Sequence, residues 1–145
     1  MPKDTLQLKN ELTDTKNIDE FIDDNRENFR KYSLTDYLHH LLDMKNLSKA
    51  EVIQKSCLEQ IYAYHIFAGR KKNPSRNKIL SIALAMGLSP DETQYLLYYA
   101  GVEQLYVRNS WDSILWYALE NHMTVIDTNM LLIKLSEEPL INQIY

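Results

Sequence analysis

Glycine and proline are scarce in this chain of 145 residues, which holds three of the first and four of the second. An all-β protein spends both residue types on tight turns, so their scarcity argues against many short strands. Cysteine occurs once, at Cys57, which excludes an internal disulfide and fits a reducing, cytoplasmic setting. No apolar run approaches the roughly 18 residues of a membrane span. The opening stretch MPKDTLQLKNEL also lacks the apolar region of a signal peptide. Signatures of catalysis are missing: there is no phosphate-gripping glycine loop, no nucleophile elbow and no metalloprotease motif. His39, His40, His65 and His122 show no metal-ligand spacing, and Asp36 with His40 reads as a surface hydrogen-bonded pair rather than as two ligands. No enzyme activity, metal or cofactor is therefore expected.

What is present is helix, and a lopsided charge. Apolar residues make up 45% and charged residues 25%, the composition of an ordinary globular domain. The net charge is −4, yet residues 47–88 hold Lys49, Lys55, Arg70, Lys71, Lys72, Arg76 and Lys78 against only Glu51 and Glu59. That island carries +5 and leaves −9 for the rest, an asymmetry that suits a localised polyanion-binding face. The bland alternative is a solvated loop with clustered charge.

Helix signals run from end to end. Ile18, Phe21, Ile22 and Phe29 share one face of a helix expected over NIDEFIDDNRENFRKY, with acid on the other face. Ser33 can cap LTDYLHHLLDMK, whose Leu34, Tyr37, Leu38, Leu41 and Leu42 recur at three and four residues. Ser48 with Glu51 forms a capping box for a short helix through about Lys55, and another helix begins near Glu59 and stops at Gly69. Ser75 opens RNKILSIALAM before Gly87, and Ser89-Pro90-Asp91-Glu92 opens a helix that ends before Gly101. Each glycine thus follows a helical pattern, where a left-handed cap calls for one. Two more helices are expected, about Trp111 to His122 and Thr124 to Ser136. The fold class is all-α, divided into an acidic helical extension over 1–32, a domain over 33–101 and a helical extension over 102–145.

Lys49 to Ala68 reads as two helices joined by a short turn, with Val52, Leu58 and Ile66 where the contacts between them must be apolar. With LSKAEV, IFAGRKKNPS and ILSIALAMGLSPDE, this stretch resembles the Cro and lambda-repressor family of helix-turn-helix proteins, also called the xenobiotic-response-element family, over roughly Leu34 to Gly101. Ile53 and Ala63 stand where that family usually has a small and a branched residue, a volume-conserving exchange. Cys57 replaces the usual turn glycine, and Ser56 an apolar residue.

The resemblance implies a five-helix lambda-repressor-like domain whose third helix lies in the major groove of double-stranded DNA. Glu59, Gln60, Ile61, Tyr64 and His65 would then face base edges. Gln60 would pair with adenine, Ile61 touch a thymine methyl, His65 donate to guanine and Glu59 accept from cytosine. Lys49, Arg70, Lys71, Lys72, Arg76 and Lys78 would contact phosphates. It also implies a homodimer on two half-sites and a transcriptional regulator that acts by occupying its operator. The competing reading keeps the fold as a protein-interaction module, with Tyr62, Tyr64 and Phe67 as packing residues and Ile61 facing an apolar partner. Trp111, Leu115, Leu119, Ile126, Leu131 and Leu135 either roof the core, form the dimer interface or take a partner helix. The acidic N-terminal segment reads as a solvated helix face, or as one that docks on the basic strip.

Overall fold

The computed structural model describes residues 3–26, 29 and 32–145, and among them it is all-α, with nine helices and no strand. It divides into two compact units, residues 1–31 and 32–145. The first unit holds α1 (Thr5–Asp14) and α2 (Ile18–Asp24). Asp4 and Gln7 form a reciprocal capping box at the start of α1, and the Asn17 side chain caps α2. Asn25 is buried at the end of α2, where its amide donates to the Phe21 carbonyl and to Glu11, and its Oδ1 accepts from Lys3. Lys3 also pairs with Glu11, which lowers the Glu11 carboxyl below its ordinary pKa. The single helix expected from Asn17 onward ends at Asp24, and the continuation expected through residues 27, 28, 30 and 31 lies outside the described residues.

The second unit comprises α3 (Leu34–Met44), α4 (Lys49–Lys55), α5 (Gln60–Phe67), α6 (Arg76–Met86), α7 (Pro90–Ala100), α8 (Ser110–Glu120) and α9 (Val125–Lys134). Ser33, Ser48, Ser75, Ser89 and Thr124 each turn a side-chain oxygen to a backbone N–H of the first turn, the caps that fix these starts. The hydrophobic core is continuous. Leu38 and Leu41 of α3, Ile66 and Phe67 of α5, and Ile79, Leu80 and Ile82 of α6 belong to one buried cluster with Leu115 and Leu119 of α8 and Leu132 of α9. Position 101/102 is therefore no boundary between compact units: α8 and α9 lack a core of their own and close the one that α3 to α7 build. Trp111 packs half-buried against this core, Leu131 is half-buried, and Ile126 and Leu135 face solvent.

Three contacts lock the packing. Tyr37 meets Tyr99 at 4.5 Å between ring centroids, and burial pushes its hydroxyl up to about 12. Lys45 bonds Glu92 at 3.0 Å, tying the end of α3 to the first turn of α7. Gly69 turns with φ +78°, and a Cβ there would stand 3.0 Å from the Thr35 hydroxyl, so only glycine lets this loop pass so close to α3.

Candidate nucleic-acid interface

The site grows from the turn between α4 and α5. Ser56 is fully buried, and its hydroxyl donates to the Ile53 carbonyl at 2.6 Å while accepting from the Leu58 N–H at 3.3 Å. A serine here satisfies backbone groups that an apolar residue would leave to the turn alone. Cys57 follows with φ +60°, a left-handed backbone that costs a side-chain-bearing residue about 1 kcal/mol relative to glycine. Its thiol is buried, and burial pushes its pKa up, away from the reactive thiolate. Val52, Ile53, Leu58, Ala63 and Ile66 are all buried, so α4 and α5 are fixed in their mutual geometry by an apolar seam.

On this frame the outer face of α5 is polar except at one residue. Gln60 is exposed, and Ile61 is 66% exposed in the first turn of the helix. Tyr62, Tyr64 and His65 are half-buried, while Phe67 lies in the core. Two lysines lie over tyrosine rings here: Lys78 Nζ stands 4.0 Å from the Tyr62 centroid, and Lys49 Nζ stands 5.7 Å from that of Tyr64. Lys71 flanks the Tyr62 ring from the loop at 5.7 Å. Such stacking holds a lysine stem beside an aromatic edge while its ammonium keeps free donors. Arg70, Lys71 and Lys72 are exposed in the loop after α5, where the N–H groups of Arg70 and Lys71 both donate to the His65 carbonyl. The structure thus brings Lys49, Lys71 and Lys78 to the flanks of α5.

Two expected contact residues have other work. Glu59 is the N-cap of α5, and its two carboxylate oxygens accept from the Ile61 N–H at 3.0 Å and the Tyr62 N–H at 2.7 Å. Its carboxylate is thus turned onto the helix terminus, and capping α5 is the role the structure gives it. Arg76 does not extend the basic strip. Its guanidinium grips buried Asp112 of α8 through two bonds of 3.0 and 2.8 Å and donates to the carbonyls of Glu103 and Gln104. Asp112 also accepts from the Tyr106 N–H at 2.9 Å, so the pair organises the whole α7–α8 connection.

The sequence reading missed the chain after α9. Asn129 is buried and clips residues 140–141 with three bonds, donating to the Ile141 carbonyl and accepting the N–H groups of Leu140 and Ile141. Asn77 of α6 donates to the Leu140 carbonyl. Farther along, the Tyr145 N–H donates to the Cys57 carbonyl at 3.0 Å, within the α4–α5 turn itself. The tail therefore forms one wall of a groove of about 460 Å³ whose other walls are Leu58, Glu59 and Tyr62 at the start of α5 and Ser75, Asn77 and Lys78 at the start of α6. The pair Asn77 and Asn129, polar on otherwise apolar helix faces, was the available signal.

Among the described residues no helix is long and apolar enough to cross a membrane, and no group of three or more His, Cys, Asp or Glu side chains is placed to hold a metal ion. No family model matches the chain, no curated protein is similar to it, and no solved structure matches its fold.

Proposed function

We propose that α3 to α7 form a lambda-repressor-like unit and that the protein is a sequence-specific DNA-binding regulator, acting by occupying an operator without catalysis or cofactor. In this reading α5 enters the major groove and Gln60, Ile61, Tyr64 and His65 face base edges. Lys49, Arg70, Lys71, Lys72 and Lys78 meet phosphates on either side. One observation carries the reading: a helix with a polar outer face, held rigid by a buried turn, has Lys49, Lys71 and Lys78 stacked on tyrosines along its flanks and two further cations, Arg70 and Lys72, in the adjoining loop. Glu59 turns its carboxylate back onto the helix terminus, where the first-turn N–H groups offset part of its charge.

The test is affinity for duplex DNA as a function of salt. Each neutralised phosphate steepens the slope of log affinity against log salt by about 0.9, so four or five contacts give a slope near −4. Gln60→Ala relaxes the preference at one base position, at a cost of about 1–3 kcal/mol there, and leaves the slope intact. The competing reading, a protein-interaction surface on the same helix, draws on the exposure of Ile61. It would be favoured by a flat salt response together with a partner protein lost on Ile61→Ala.

A further inference from the structure

Helix α9 has two unlike faces. Val125, Thr128, Asn129 and Leu132 point into the core. On the adjacent face, one residue farther round the helix, Ile126, Met130 and Ile133 are 45%, 63% and 59% exposed. Their spacing of four and then three residues is that of one heptad seam, the pattern by which a helix meets another helix. A single exposed apolar side chain is ordinary, but three in a seam on one short helix form a continuous stripe.

The charges beside the stripe specify what covers it. Asp127 and Lys134 are both exposed, lie seven residues apart and so flank the seam on the same side. Among the described residues neither has an ion-pair partner. A two-fold axis placed near Met130 makes this face self-complementary: Met130 meets Met130 of a second copy, Ile126 meets its Ile133, and Asp127 meets its Lys134 twice over. A parallel arrangement would instead place the two copies' Asp127 and Lys134 on opposite sides of the seam, out of one another's reach, so only the antiparallel one pairs these charges. We propose that α9 is a homotypic interface and that two copies of this chain associate through antiparallel α9 helices, with Met130 on the two-fold axis.

A seam three residues long covers less than the roughly 800 Å² per partner of a standard interface, so the association is weak and concentration-dependent. The inference rests on α9 itself. It deepens the proposed DNA reading by locating the two-fold axis that a palindromic operator requires.

The experiment is sedimentation equilibrium of the full chain without DNA, over a concentration series reaching hundreds of micromolar. The wild type shows a monomer–dimer equilibrium, and Met130→Glu sediments as a monomer with an unchanged thermal melt, since the side chain is exposed. Asp127→Lys or Lys134→Asp alone weakens association roughly threefold to tenfold, because each sets like charges together, and the double reversal restores it. A wild type that stays monomeric throughout overturns the proposal. So does a dimer indifferent to Met130→Glu, or a double reversal that fails to recover. Duplex binding, measured separately, keeps the two readings apart. A monomer that binds DNA sinks the pairing alone, and a dimer that ignores DNA sinks the DNA reading alone.

Discussion

Helices α5 and α9 both turn isoleucine to solvent, and the residues around each separate them. On α5, Ile61 stands alone beside Gln60, with Lys78 and Lys71 over the Tyr62 ring and Lys49 over that of Tyr64. On α9, Ile126, Met130 and Ile133 line up with one acid and one base beside them. A rim dominated by lysines suits a polyanion, whereas a mixed rim arranged about its own centre suits a copy of itself. Exposed apolar area alone would have made the two helices look alike. The charges beside it are what set the two proposals apart.

The same lesson separates two cations only four residues apart in the chain. Lys72 is exposed in the loop, while Arg76 is bound to Asp112 and two carbonyls. Arg76→Ala is the substitution with the largest expected effect. It strands the buried Asp112 carboxylate and costs about 3–5 kcal/mol in urea unfolding, and adding Asp112→Ala recovers part of that loss. Equal stability of Arg76→Ala and wild type would break the distinction drawn between the two residues. Lys71→Ala with Lys72→Ala has the opposite signature. Folding stability stays within about 0.5 kcal/mol of wild type, affinity falls for all duplexes alike, and the salt slope flattens by about 0.9 per lysine.

The smallest effect concerns Glu92. Burial pushes its carboxyl up, but the Ser89 backbone N–H and the Lys45 ammonium outweigh burial and leave it below the ordinary value of 4.5. The ionised form is thus favoured in the folded state. Its stabilising contribution is full above 4.5 and is lost as pH falls through the lowered native value. Glu92→Gln should remove this part of the acid dependence, amounting to about 1 kcal/mol or less for a half-buried pair at the surface. An unaltered acid limb in urea titrations would show that the Lys45 contact contributes nothing.

Local signals carried most of the fold. Ser33, Ser48, Ser75, Ser89 and Thr124 announced helix starts because a cap acts within three residues of itself. Gly69, Gly87 and Gly101 marked three ends because their left-handed backbones favour glycine. Asn46, Cys57, His122 and Ser136 also have positive φ, with no glycine to announce it. At Cys57 it was the resemblance to a known turn, not the residue type, that gave the conformation away. The extension over 1–32 is expected to be helical, but α1 as a separate helix is not singled out, although Asp4 and Gln7 form its capping box.

The candidate site was less legible, for a physical reason. Phosphate contact was read from positive charge, and charge says nothing of what already neutralises it. Arg76 and Asp112 are 36 residues apart and meet only because α8 closes the α6–α7 core. Glu59 falls on the outer face by its position, but its carboxylate accepts from the N–H groups two and three residues along and caps the start of the helix. The contact from Tyr145 to Cys57 spans most of the domain and leaves no mark on local sequence.

The central claim is that the face of α5 reads duplex DNA, and selection of bound sequences from random DNA by the purified protein, run at two salt concentrations, tests it most directly. The account predicts an enriched and roughly palindromic motif that is recovered less efficiently at high salt. Absence of enrichment at both salts would contradict it and return α5 to a protein partner.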